Sequence, residues 1–376
     1  MPDKKFYSAV SVLVGGVVGV GIFGVPFVFA KAGFLTGFLF LAGLSAVTLV
    51  FNLAYGEIIL RTDKAHQLVG YAGTYLGSFF KKLTFFTFVL GIYSALLAYI
   101  IVGGEFLANI LFFNFFVSAD SLSIFFFFLV AFVLLGGLKT ISAVDLFMAV
   151  LYIASVCLIV FWGAGQINFS NFTLWNRDFW FLPYGVILFA LSGMSSVALQ
   201  REVLDGQEFK LKKSIIWGSL LPPIIYLVLA FLVVGVSGEV TSPEAFAGLS
   251  SFLGPKVVLA GSIFGVLAIF TSFLNLGRVL QESFQFDFRL NKFTAWFLAL
   301  WPPFFLFIFG IRNFINVIGL AGSVAIGLQS IVFILIYSKV KRMGHRIPEY
   351  SLNMPRWFWY LAIAIFISGI LLAFLT

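Results

Sequence analysis

Gly15, Gly16, Gly19, Gly21 and Gly24 fall inside one apolar run from about Tyr7 to Phe29, and Pro26 closes the set in the stretch GGVVGVGIFGVPF. A second run, from about Trp180 to Leu199, is interrupted by Ser192-Gly193-Met194-Ser195-Ser196. Both composition changes predict helices that break in the middle. Glycine takes positive φ freely and lets a ligand approach the backbone. A break exposes the amides that open one half-helix and the carbonyls that close the other. Amides around Gly19, Gly21, Ile22 and Phe23 suit a carboxylate, and carbonyls around Leu191, Ser192 and Gly193 suit an ammonium. Gly15 and Gly19 also have the spacing of small residues in close helix packing.

Ala268, Thr271 and Ser272 stand at i, i+3 and i+4 of another apolar run, so one carbonyl and two hydroxyls can converge on one helix face. The same hydroxyls can instead bond back to their own helix. The acids are peripheral. Glu105 lies about 21 residues, or roughly 30 Å, into its run; Glu57, Asp145 and Glu282 sit near run ends. Glu57 with Arg61, and Arg278 with Glu282, have the i, i+4 spacing of helix ion pairs. Glu57 and Glu105 are the candidate proton carriers. The single cysteine, Cys157, lies in an apolar run, and His66 and His345 fall between runs, so no disulfide frame or cysteine metal site is available. No carboxylate pair or nucleophile with its base is visible, which speaks against an enzyme. Asn168 and Asn171 open two glycosylation sequons.

The elements that hold these residues must lie in a membrane. The chain is 61% hydrophobic and 10% charged, against roughly 25% charged in a soluble domain. Apolar runs matched to a bilayer core near 30 Å predict eleven spans: 7 to 29, 35 to 58, 84 to 112, 121 to 138, 142 to 165, 180 to 199, 215 to 237, 256 to 280, 293 to 311, 314 to 338 and 357 to 375. All but four of the 23 Lys and Arg fall in alternate loops, the exceptions being Lys31, Arg177, Lys256 and Arg312. The positive-inside rule then puts the N-terminus in the cytoplasm and the C-terminus outside. The net charge of +8 belongs to that cytoplasmic face and to the lipid bilayer as partner, not to nucleic acid. No cleavable signal is evident. Spans one to five (about 7–165) and six to ten (about 180–338) make two units of inverted topology, because five is odd; the helix at about 357–375 is an addition. The whole of 1–376 is one transmembrane domain. Ser242-Pro243-Glu244 has the pattern of a helix start, which predicts a short external helix near Glu244 to Ser250.

The stretch GVGIFGVPFVFAKAG, Gly19 to Gly33, resembles the first-span signature of the amino acid/auxin permease and hydroxy/aromatic amino acid permease families. Glu57 in YGEIILRT is similar to the glutamate that ends their second span. PYGVILFALSGMSS and KLKKSIIWGSLLPPIIYLVLAFLVVGVSG resemble their broken sixth helix, basic loop and G-x-x-x-P-x-x-x-Y seventh helix; TSFLNLGRVLQESFQFDF, Thr271 to Phe288, is similar to their eighth-span motif. Asn275, where the motif has Gly, and Arg278 depart from it. The resemblance implies the amino acid-polyamine-organocation superfamily and its LeuT-like 5+5 inverted repeat, broken at spans one and six. It implies secondary active transport of an amino acid by alternating access, with spans one, two, six and seven moving against a scaffold including three, four, eight and nine. Distant sodium symporters of this fold further imply that the carbonyls of Gly15 and Val18 face Ala268, Thr271 and Ser272 around a sodium ion. No cofactor is expected beyond Na+ or H+ as coupling ion. Ile22, Phe23, Met194 and Asn275 form an apolar set with one amide, which points to a neutral, aromatic or branched substrate. A nutrient receptor of the same fold, resembling spore germinant receptors, is the alternative; a metal-ion transporter is disfavoured because the first break offers no Asp or Asn. A plasma (inner) membrane location follows.

Overall fold

The glycine-rich first run folds as two helices. In the computed structural model, which describes residues 4–63, 66–111, 118–136 and 161–375, α1 (Lys4–Val17) and α2 (Gly21–Ala32) meet at 58° across Val18, Gly19 and Val20. Gly33, at φ 93°, ends α2. Chain order continues with α3 (Phe34–Arg61), α4 (Leu68–Leu76), α5 (Ser78–Leu111) and α6 (Ala119–Gly136). The second interrupted run forms α7 (Leu182–Ala190) and α8 (Ser195–Val203), separated by Leu191 to Met194. These two continue one span of 22 residues without the sharp bend of the first pair. There follow α9 (Leu211–Ser237), α10 (Pro255–Phe288), α11 (Lys292–Ile308), α12 (Phe314–Leu320), α13 (Gly327–Met343) and α14 (Arg356–Ala373). Asn291 and Asn313 cap α11 and α12 by accepting the amides of Thr294 and Asn316, at 2.9 and 3.0 Å.

Among the described residues seven helical stretches are long and apolar enough to cross a bilayer, and the bent pair makes an eighth. The chain is therefore an all-α polytopic membrane protein. One of the eleven expected runs, 293 to 311, is shorter than a full span. The helix in α6 reaches the limit of the described residues, and α11 stops at Ile308 because Gly310 takes φ 98° and turns the chain. Most of the expected run 142 to 165, with Asp145 and Cys157, lies outside the described residues. The expected run 314 to 338 is one span built from α12 and α13, joined by a π-helical turn at Ala321–Ile326. There α7 crosses backbone to backbone: a β-carbon on Gly322 would sit 1.8 Å from the Gly185 carbonyl oxygen, so only glycine fits.

The helix expected near Glu244 to Ser250 starts later. Residues 242–246 make a tight turn around Ala245 (φ 73°), and a 3-10 turn at Ala247–Leu249 runs into one helical turn, Ser250–Leu253. Pro243 does not open a helix because the side chains around it close the turn instead: Glu244 Oε1 accepts from the Ala247 amide at 2.9 Å and Ser242 Oγ from the Gly248 amide at 3.1 Å. The sequon asparagines are likewise structural: Asn168 Oδ1 accepts from the Ser170 amide, and Asn171 Nδ2 donates to Gly235 O at 2.8 Å.

Candidate functional site

The two interruptions lie against each other. A β-carbon on Gly21 would come within 2.6 Å of Ala190 Cα, one on Gly193 within 2.2 Å of the Val17 side chain, and one on Gly16 within 1.9 Å of Ser196 Oγ. Three close approaches in antiparallel order bring the end of α1 and the start of α2 onto the end of α7 and the start of α8. Neither α2 nor α8 has a side chain capping its N-terminus, so the positive ends of two half-helix dipoles converge on one place. The amides of Ile22 and Phe23 make turn-type bonds of 3.4 and 3.1 Å to Gly19 O and Val20 O. Gly19, Gly21, Leu191, Ser192, Gly193 and Met194 all stand at this junction. Ile22 and Phe23 are buried just beyond it.

Three aromatic contacts that sequence reasoning missed complete the junction. Tyr226 on α9 is fully buried, with its hydroxyl 3.1 Å from Val17 O and 2.9 Å from Ala190 O. Tyr99 on α5 stands beside Ser272 and the Val20 backbone, and its oxygen would be the nearest neighbour of a β-carbon on Gly19, at 3.3 Å. At the end away from the basic loops, Phe246 packs against Phe23 and Phe106 with ring centroids 5.6 and 5.7 Å apart. Tyr226 stands in the seventh-span motif, which was a signal. Tyr99 sits in the unbroken apolar stretch ALLAYII, which gave none.

The cation candidates are only partly together. Thr271 Oγ1 donates within its own helix, 3.0 Å from Ala268 O and 3.3 Å from Leu267 O. Ser272 stands beside Tyr99. Gly15 is exposed with no side chain near its α-carbon, and Val18 is half-buried at the break. Asn275, one turn beyond Thr271 on α10, is half-buried.

The two acids differ in how fully they are bonded. Glu57 is 0% exposed and accepts four hydrogen bonds: from Arg61 Nε and Ser351 Oγ at 2.8 Å, Tyr337 OH at 2.7 Å and the Leu352 amide at 2.8 Å. It anchors the strap 344–355 that follows α13. The strap also sends Tyr350 OH to Leu53 O at 2.7 Å and the His345 amide to Arg61 O at 2.8 Å. Burial first, then the Glu57 charge, holds the Tyr350 phenol well above its ordinary pKa, so it remains a neutral donor. A 510 Å³ cavity opens beside this strap, lined by Arg61, His345, Arg346 and Ser351; it is separate from the breaks. Glu105 contrasts with Glu57. Its Oε2, and Asn109 Nδ2 one turn on, are buried without a hydrogen-bond partner among the described residues. No group of three or more His, Cys, Asp or Glu able to hold a metal occurs among the described residues.

Residues 2–373 match the model of the tryptophan/tyrosine permease family. Glutamine transporter 2 of Aliivibrio fischeri is 24% identical over 337 residues, covering 86% of each chain. Tyrosine-specific transport system 1 of Haemophilus influenzae is 21% identical over 369 residues, covering 92% of this chain and 90% of its own. Among solved structures, MhsT in complex with L-phenylalanine is similar with a TM-score of 0.65 at 18% identity, over 98% of this chain and 97% of its own. Mhp1, a nucleobase-cation-symport-1 family transporter in a closed conformation with bromovinylhydantoin bound, gives 0.67 at 11% identity, over 98% and 90%. At these identities the two structures speak for the fold alone, which is the LeuT-like all-α fold.

Proposed function

Since this chain belongs to the tryptophan/tyrosine permease family, we propose that it is a cation-coupled secondary active transporter of neutral or aromatic amino acids, and not an enzyme. The observation that carries this reading is the direct apposition of the two helix breaks, with Gly21 on Ala190 and Gly193 on Val17. A free amino acid carries a carboxylate and an ammonium a few ångström apart. The uncapped starts of α2 and α8 supply positive ends for the first, and Val17 O and Ala190 O supply acceptors for the second. The side chain then meets Ile22, Phe23, Met194 and Asn275. The tyrosine and glutamine transporters among its relatives support a neutral substrate, and the L-phenylalanine bound to MhsT supports an aromatic one.

In this reading 1–376 is one 5+5 inverted-repeat domain with an added eleventh helix, in the plasma membrane, N-terminus inside and C-terminus outside. The coupling ion is sodium, held by carbonyls of Gly15, Val18 and Ala268 and hydroxyls of Thr271 and Ser272 after Thr271 rotates away from its own helix. A proton on Glu105 is the second reading, favoured by its unpartnered carboxylate oxygen. The test is accumulation of labelled tryptophan in proteoliposomes under a sodium or a pH gradient, with the common amino acids as competitors. Accumulation that neutral amino acids suppress is the expected result. Binding without accumulation under either gradient would make the protein a receptor and overturn the proposal.

A further inference from the structure

Gly218, Pro222 and Tyr226 stand at i, i+4 and i+8 of α9 and so share a helix face, yet nothing in the transport reading so far gives that face a task. The structure lays it along α1. A β-carbon on Gly218 would come within 2.9 Å of the Leu13 side chain, so the two helices are in close contact one turn before the break. Pro222 and Pro223 follow, both buried. They remove two amides from the helical ladder. Tyr226 then reaches Val17 O, where α1 ends, and Ala190 O, where α7 ends. The two carbonyls belong to different broken spans, and Tyr226 is fully buried between them. A phenol has one proton and can donate it well to one acceptor at a time, so the pair keeps acceptor capacity to spare.

We infer that Tyr226 is a positioning residue: its hydroxyl holds the carbonyl ends of both broken spans at one spacing, so that an incoming ammonium finds two oriented acceptors. The ammonium part rests on the reading of the substrate as an amino acid; the spacing part rests on the structure alone. Tyr226→Phe keeps the ring and removes only the donor. Tyr184→Phe is the matched control, since Tyr184 lies on α7 and its hydroxyl donates to Ile365 O, at 3.4 Å, away from both breaks.

The test has two arms on the purified full-length protein. Amide hydrogen exchange without ligand should accelerate about tenfold or more at residues 17–21 and 190–194 in Tyr226→Phe, and not in Tyr184→Phe. Binding is then measured with L-tryptophan and with indole-3-propionate, which has the same ring and carboxylate and no ammonium. Tyr226→Phe should weaken tryptophan about tenfold and leave indole-3-propionate unchanged. Equal weakening of both, or exchange no faster than in the control, overturns the inference. If the unaltered protein binds neither probe, the aromatic-substrate reading fails, and the exchange comparison alone decides whether Tyr226 positions the breaks.

Discussion

Glu57 and Glu105 look alike in sequence, each an acid in an apolar run, and their surroundings separate them. Glu57 spends every lone-pair direction on Arg61, Ser351, Tyr337 and Leu352, so a proton arriving there would break bonds without making any. Its work is to hold the strap. Glu57→Ala leaves three side-chain donors and one amide without their acceptor and should lower stability by on the order of 3 kcal/mol; thermal unfolding in detergent measures this, and an unchanged midpoint would refute the anchor. The cation candidates make a sharper residue-scale test. Replacing both Thr271 and Ser272 by Ala removes two of about five oxygens from a hard cation, which then binds much more weakly. Sodium stimulation of uptake should vanish while sodium-independent binding survives. If uptake by the unaltered protein ignores sodium and follows the pH gradient, the sodium site fails and Glu105→Gln becomes the variant that should abolish coupling.

At the scale of elements, the seam between α1–α2 and α7–α8 depends on small residues. Gly21 is the tightest test, because a β-carbon there meets Ala190 backbone and not a side chain that can move aside. Gly21→Val should insert and fold at near-normal yield yet lose substrate binding by a hundredfold or more, measured by equilibrium binding beside a surface-expression control. Near-normal uptake by the variant would show that the seam tolerates separation and is packing alone. The glycines and the serine cluster made both interruptions legible in the sequence, because Gly and Ser disturb the ladder locally wherever they stand. The partners that close the site were less legible. Tyr99 and Phe106 come from α5 and Phe246 from the 242–246 turn, and only the fold brings them to one place with the breaks. A single tyrosine in an apolar run has no periodicity to mark it. The strap was unreadable for the same reason: Glu57 pairs with Arg61 four residues on, as its spacing foretold, but Tyr337, Ser351 and Leu352 arrive from nearly 300 positions away.

For the whole molecule, two sets of polar cross-links between spans stand out among the described residues. One joins spans one, two, six and seven: Gln200 Nε2 to Ala9 O at 2.9 Å, Asn52 Nδ2 to Ser219 Oγ at 3.0 Å, and Tyr226 to Val17 O and Ala190 O. The other joins α5, α6 and α11: Trp296 Nε1 to Ala131 O at 3.0 Å and Tyr93 OH to Leu298 O at 2.5 Å. Tyr337 to Glu57 and Tyr184 to Ile365 tie the first set to the last two spans, while Phe23 meets Phe106 and Phe246 through their rings. Hydrogen bonds inside each set and apolar packing between the two are what two bodies need if they are to rock against each other as units. Phe246 sits on the division, touching Phe23 of the first set and Phe106 of the second, so it should act as the cap over the outer path. The prediction uses Ile22→Cys, a position 0% exposed next to Phe23, which packs on Phe246, in a Cys157→Ser background with no other thiol. Phe246→Ala removes the ring that bridges the two bodies and shifts their equilibrium toward the outward-open state. Labelling of the new cysteine by a membrane-impermeant thiol reagent added from outside should quicken at least tenfold. Tryptophan added at saturating concentration should slow it again by drawing the breaks closed. Labelling that stays as slow as with Phe246 in place would mean that the outer path is shut by the helices themselves, and the aromatic cluster would then be ordinary core.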